Sequence, residues 1–226
     1  MRPEPGAVVR VVVVDDQELV RSGLAMILES DPSIEVVAEA ADGREGVART
    51  VASDPDVVCM DVQMPGLDGL GATREIVQQG LGARVLVLTT FDRDDYLFEA
   101  LASGASGFLL KNAPPERLVE AVHVLARGEA MLAPEVVRRV VDRFAHRPPG
   151  TPRPDLEALH ALTEREQQVM GHLVRGRSNS EIAAALHVGE ATVKTHVSRV
   201  LDKLGVRDRV QLVVWAYERG VVVPGS

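Results

Sequence analysis

Short β-branched runs alternate with amphipathic stretches through the first half of the chain, the pattern of a parallel sheet wrapped by helices. The runs predict five strands, at residues 9–14, 35–39, 57–60, 84–88 and 107–110. Their spacing of roughly 20–27 residues leaves room for one crossover helix in each interval. Leu19, Val20, Gly23, Leu24, Ile27 and Leu28 recur at three- and four-residue steps and predict a helix over 17–28, which Pro32 stops. A helix over 115–127 closes this part of the chain at Gly128. A further helix is predicted over 134–145, with Val136, Val137, Val140, Val141 and Phe144 on one side. The stretch HRPPGTPRP, residues 146–154, then holds four prolines and a glycine, so it can form neither a helix nor a paired strand and reads as a semi-rigid extended linker. Beyond it strand signals stop. Helices follow at 164–175, 179–186, 191–204 and 209–219, separated by glycine or polar turns.

At 226 residues the chain is long enough for two modest domains. No apolar run approaches the ~20 residues needed to cross a bilayer, so no membrane span is expected. Cys59 is the only cysteine, which excludes an internal disulfide framework and a cysteine zinc site and fits a reducing, cytoplasmic setting. The start, MRPEPGAVVRVVVVDD, runs from a short apolar stretch straight into two aspartates, so no export signal is expected. A net charge of −8 argues against nucleic acid until the chain is split. Residues 1–130 hold 22 acidic and 11 basic side chains, whereas residues 131–226 hold 11 acidic and 14 basic ones. The second half alone has the sign that suits a polyanionic partner.

In an open parallel sheet, chemistry gathers at the carboxyl ends of the strands, beside the point where strand order reverses. Asp15 and Asp16 follow the first predicted strand and Asp61 follows the third, so an order 2-1-3-4-5 would bring the three together. A single aspartate at such a place equally well caps a helix. Three close carboxylates raise one another's pKa unless a cation neutralises them, and hard oxygen ligands with room for water suit Mg²⁺. Thr89 closes the fourth strand and Lys111 the fifth, at the same edge. An acidic triad flanked by a hydroxyl and an ammonium could hold a phosphoryl group, with Asp61 as nucleophile. Asp16, Asp61 and the Gln63 carbonyl would ligate Mg²⁺, with Asp15 acting directly or through water, while Lys111 and Thr89 bind the remaining phosphoryl oxygens.

The segments VVVVDDQ, MDVQMPGLDG, VLVLTTFD and GFLLKN resemble the receiver-domain signature of two-component response regulators over residues 8–127. That resemblance implies a flavodoxin-like (CheY-like) fold, Asp61 as phospho-acceptor, Asp15 and Asp16 as the acidic pair, Thr89 as the switch hydroxyl, Lys111 as the phosphate-binding lysine and Phe108 as the aromatic switch residue. Many receivers carry a cis proline after the lysine, where this chain has Asn112. Cys59, two residues before Asp61 in an apolar strand, reads as core packing.

In the second half, Thr163 with Glu166 three residues on is a capping signal. Along the helix over 191–204, Val193, Val197, Val200, Leu201 and Leu204 line one face, while Lys194, Thr195, Ser198, Arg199 and Asp202 spread over the other. Such a polar face is ordinarily just solvated. Here a four-residue turn, 187–190, sets it directly behind the helix over 179–186, the spacing of a helix-turn-helix whose second member enters the major groove. Leu162-Thr163, Arg165-Glu166, Gly176, Ser178-Asn179, Glu181-Ile182-Ala183, Thr192-Val193-Lys194, His196 and Lys203-Leu204 resemble the LuxR-type helix-turn-helix. Gly189 stands where many such domains have a capping serine.

With the receiver in front, the chain resembles NarL/FixJ-family response regulators: an α/β doubly wound five-stranded parallel sheet followed by an all-α helix-turn-helix domain. The expected division is a receiver at 8–127, a linker helix and proline-rich linker at 128–160, and the DNA-binding domain at 161–226. Lys194, Thr195 and Ser198 occupy groove-facing positions, and Thr192, His196 and Lys203 are candidates for backbone phosphates. Taken alone, His196 reads as a surface or packing histidine. The apolar run LVVWAY, 212–217, exceeds what one docking stripe needs and suggests a dimer face at Val210, Val213, Val214 and Tyr217. The expected function is transcriptional control in the cytoplasm. A partner histidine kinase phosphorylates Asp61, and this governs homodimerisation and DNA binding. Aspartyl-phosphate hydrolases also place a nucleophilic aspartate after a strand, but they need an acid two residues later, where this chain has Gln63, so an enzyme is not expected. A module of the same fold controlled by a ligand or a protein without phosphate is the other reading.

Overall fold

A computed structural model describes residues 8–90, 94–128, 159, 161–219 and 221, with the side chains of 94–96, 98, 217 and 218 outside that description. The helix predicted at 134–145 and the linker at 146–154 lie outside the described residues. The chain divides into two compact units, residues 1–131 and 132–226.

In the first unit, β1 (Val9–Val14), β2 (Ile34–Ala40), β3 (Val57–Asp61), β4 (Arg84–Thr89) and β5 (Gly107–Leu110) form one parallel sheet in the order β2-β1-β3-β4-β5, as the sequence led us to expect. The helices α1 (Glu18–Glu29), α2 (Gly43–Ser53), α3 (Gly69–Gln78), α4 (Asp94–Ala102) and α5 (Pro115–Ala126) fill the crossovers and the end. A parallel strand covered on both faces reads as a continuous apolar run, and Val11–Val14 are all buried. Val11, Val13, Cys59, Leu86 and Leu88 pack with Leu24 and Leu28 of α1 and Leu118, Val122 and Leu125 of α5. Cys59 belongs to this core, where burial pushes its thiol up to about 12. On the opposite face a Cβ at Gly46 of α2 would meet the Val14 side chain at 2.9 Å, so glycine allows that helix to close on the sheet.

β2 runs one residue further at each end than its sequence pattern shows. It carries an irregularity against β1, where Val11 pairs with Val36 but Val12 pairs with Ala38. At the other border of β1 the ladder is regular, Val14 facing Met60 of β3, and Asp61 faces Leu88 of β4. Asp15 and Asp61 therefore leave their strands at the same level.

The second unit contains α6 (Glu164–Leu173), α7 (Asn179–Leu186), α8 (Glu190–Leu204) and α9 (Arg209–Glu218). Thr163 and Glu166 close a reciprocal capping box on α6, and Ser178 and Glu181 do the same on α7. α7 ends on His187 in the left-handed region (φ 54°), and Gly189 caps α8 without any side-chain bond. The core joins Leu162, Val169, Leu173, Ile182, Val193, Val200, Leu212 and Ala216. No helix among the described residues is long and apolar enough to cross a membrane.

Candidate functional site

The strand ends of the first unit bring together the residues that their spacing singled out. Asp15, Asp16 and Asp61 each offer a carboxylate oxygen within 4.8 Å of the others. Asp15 and Asp61 are buried and Asp16 is exposed. Lys111 reaches in from the end of β5, its Nζ donating to Asp15 Oδ2 at 2.6 Å and to Asp61 Oδ1 at 2.9 Å. The Lys111 backbone N–H donates to the Thr89 carbonyl at 2.8 Å, which fixes these two strand ends side by side, and Thr89 is 2% exposed. The Lys111–Asn112 peptide is trans. Phe108 is buried within β5.

Burial pushes the Asp61 carboxyl above the ordinary carboxylate range; its bond and attraction to Lys111 oppose that shift, and the charge of Asp15 adds to it. Burial alone would lower the Lys111 ammonium, but its bonds to Asp15 and Asp61 outweigh burial and raise it. One cation is thus shared by two buried carboxylates, which leaves the cluster with net negative charge. The donor set, three close carboxylates, suits a hard divalent cation.

Gly69 holds the loop after β3 against the site. A Cβ there would lie 1.7 Å from the Asp61 carbonyl oxygen, and the Gly69 N–H donates to the Val62 carbonyl at 3.0 Å. Arg21 escaped the sequence reasoning. Its Nη1 donates to the Asp15 carbonyl at 2.8 Å while its Nε pairs with Glu39 of β2 at 3.0 Å. The one available hint was a cation in the first turn of a helix, a place that the helix dipole disfavours.

In the second unit, α8 buries Val193 and Val200 and leaves Thr192, Lys194, Thr195 and Arg199 exposed, with Ser198 half-buried. The Thr195 hydroxyl turns back to donate to the Ala191 carbonyl at 3.0 Å. Four of the expected residues lie in packed or ion-paired surroundings within the unit. Lys203, expected on a DNA phosphate, instead donates to the buried carboxylate of Glu166 at 2.7 Å and so ties α8 to the cap of α6. His196 is half-buried with a covered, unpartnered Nδ1, the environment of a packing histidine. Val210 and Val213, expected at a dimer face, are 0% and 1% exposed, and Leu212 and Ala216 beside them are covered as well. Val214 is half-buried, and the side chain of Tyr217 lies outside the described residues.

Comparison with known proteins matches residues 11–123 to the response regulator receiver domain and residues 160–216 to the bacterial regulatory proteins of the luxR family. The transcriptional regulatory protein LiaR of Bacillus subtilis is 38% identical over 216 residues, covering 95% of this chain and 99% of that protein. The response regulator protein VraR of Staphylococcus aureus is 37% identical over 95% of this chain and 99% of its own length. Among solved structures, the response regulator ChrA of a heme-sensing two-component system is 39% identical, with a TM-score of 0.52 over 96% of this chain and 100% of that chain.

Proposed function

Because the chain belongs to the two-component response regulators that join a receiver domain to a LuxR-type DNA-binding domain, we propose that phosphorylation of Asp61 governs its binding to DNA. The carrying observation is the Asp15–Lys111–Asp61 constellation at the buried strand ends. An ionised Asp61 needs no general base. One of its oxygens attacks the phosphorus of a kinase phosphohistidine; the P–N bond breaks and its electron pair returns to the imidazole, which takes up a proton. An acyl phosphate on Asp61 results. Lys111, released from its carboxylate bonds, and the Thr89 hydroxyl then hold phosphoryl oxygens, and Phe108 is the aromatic that senses the change. Asp15, Asp16, Asp61 and the Gln63 carbonyl are the residues that would hold Mg²⁺, which when bound would neutralise phosphoryl charge. Gln63 provides no acid for hydrolytic turnover, in line with a relative that is a transcriptional regulatory protein.

For DNA, the exposed side of α8 supports Lys194, Thr195 and Ser198 in the major groove and Thr192 at a phosphate. One helix reads only a few base pairs, so two copies on two half-sites are expected when the protein is phosphorylated or bound to DNA. The setting is the cytoplasm. Incubation with acetyl phosphate and Mg²⁺ should give a shifted band on a phosphate-affinity gel, absent in Asp61→Asn. Sequencing of DNA fragments captured with and without the phosphodonor should show enrichment that depends on it. Wild-type labelling of Asp61→Asn would overturn the assignment.

A further inference from the structure

The three clustered carboxylates are not held equally. Asp15 is fixed from several sides: its N–H donates to the Ala40 carbonyl, its Oδ1 accepts from the Gln17 N–H at 3.0 Å and its Oδ2 accepts from Lys111. Asp61 is anchored by its strand and by Lys111. The Asp16 carboxylate is exposed and makes no hydrogen bond among the described residues. Its place therefore depends on the backbone that carries it, and the peptide that orients it begins at the Asp15 carbonyl.

That carbonyl is the group Arg21 grips. The guanidinium donates to it through Nη1 and is itself steadied from behind by Glu39, with the arginine side chain only 15% exposed and Glu39 43%. A planar fork can serve both acceptors at once, which a single ammonium on a flexible stem cannot do in the same geometry. The geometry points to Arg21 as a positioning residue that, braced by Glu39, sets the peptide before Asp16 and thereby the divalent-cation affinity of the acidic cluster. This rests on the reading of the cluster as the Mg²⁺ site.

Electrostatics and positioning predict opposite signs here. Arg21 is a cation beside an acidic cluster, so its charge alone weakens Mg²⁺ binding and its removal would tighten it. If Arg21 positions Asp16, its removal weakens binding, as loss of a group that orients a ligand typically does by about 10–100-fold.

The test is titration calorimetry of the full chain with MgCl₂ and no phosphodonor. Arg21→Ala should weaken binding about tenfold or more. Arg21→Lys, which keeps the charge and loses the fork, should stay weak as well, and it serves as the measured variant should circular dichroism show Arg21→Ala to be misfolded. Glu39→Ala should weaken binding by less. In an Asp16→Asn background Arg21→Ala should change affinity less than it does in the wild type, which a general loosening of the domain would not produce. Unchanged or tighter binding in folded Arg21→Ala, with Asp16→Asn still weakened, overturns the role of Arg21 and leaves the pocket reading intact. If the wild type takes up no Mg²⁺, or Asp16→Asn binds as the wild type does, the pocket reading itself fails and Arg21 with it.

Discussion

Replacing Lys203 with methionine separates two roles for a lysine on a DNA-binding helix. Its ammonium lies 2.7 Å from Glu166 Oε2, in a pair whose carboxylate side chain is 4% exposed and whose lysine is 37% exposed. Breaking a fully buried pair costs about 3–5 kcal/mol, whereas an exposed pair is worth about 0–1 kcal/mol. One partner here is buried and keeps a bond from the Thr163 N–H at 2.8 Å, while the other reaches water. We therefore expect Lys203→Met to cost about 1–2 kcal/mol, which for a domain of this size is on the order of 5–15 °C. The effect carries a pH signature. The bond from Lys203, followed by that from the Thr163 N–H, holds the Glu166 carboxyl at about 2, below its ordinary 4.5. A depressed carboxylate stabilises the fold above its ordinary pKa and loses that contribution as pH falls through the folded value. The gap between wild type and variant should thus be full at neutral pH, shrink below about 4.5 and close near 2. Trp215, the only tryptophan, packs against the core of the second unit, so its fluorescence reports unfolding of that unit within the intact chain. If Lys203 mainly serves the fold, the slope of log affinity for DNA against log salt should not change; loss of a phosphate contact would lower it by about one unit. Equal stability of variant and wild type at neutral pH, or a difference that persists undiminished at pH 2, would refute the reasoning.

Lys194→Ala should weaken DNA binding in gel-shift titrations while leaving the Trp215 unfolding profile unchanged, with the salt slope reduced by about one if it meets a phosphate or discrimination reduced by ~1–3 kcal/mol if it meets a guanine. Lys111→Met leaves two buried carboxylates without their cation and should destabilise the receiver by about 3 kcal/mol in chelator, measured by urea unfolding and circular dichroism, with partial recovery on adding Mg²⁺. Because the Lys111 pKa is raised, its stabilising contribution is complete below about 10.5 and fades as pH climbs through the folded value, so the loss caused by Lys111→Met should diminish only in strong alkali. Gly69→Ala should cost about 1–3 kcal/mol or more and slow labelling of Asp61, since its Cβ would press on the Asp61 carbonyl; wild-type stability would show that the loop gives way freely.

Much of the receiver was legible because its signals are local. A run such as VVVV, alternating along the chain with helix-length amphipathic stretches, reads as a strand of a parallel sheet covered on both faces, and strand ends fix which aspartates meet once the order is known. Thr89 and Lys111 became legible for the same reason, through their place at strand ends. Arg21 did not, because its importance depends on reaching across to β2, and periodicity along α1 says nothing of a neighbour 18 residues on. In the second unit the polar face of α8 could be read from its spacing, but the role of Lys203 could not: it lies off the apolar stripe as Lys194 does, and only the packing of α6 against α8 shows that it meets the Glu166 carboxylate. The run 212–217 could not be assigned a partner for a related reason. An apolar sequence reports how much surface avoids water and not which partner covers it, and Val210 and Val213, expected at a dimer face, are covered within the chain itself.

The irregularity in β2 bears on how many residues that strand can hold. Partners across a parallel ladder point to the same side of the sheet, and Ile34, Val36 and Glu39 pair with Val9, Val11 and Val13, which share the α1 and α5 side. The step from 36 to 39 is odd, so the extra residue reverses the parity of everything after it. An unbroken ladder would put Ala38 opposite Val13 and turn Glu39 to the far side, out of reach of Arg21. Deleting Val37, the extra residue itself, should therefore leave Ala38 opposite Val12 and Glu39 opposite Val13 and keep the acid beside the arginine, whereas closing the ladder with Val37 retained would set an alanine methyl there. In this protein the arithmetic of an edge strand is part of the chemistry at the next strand's end.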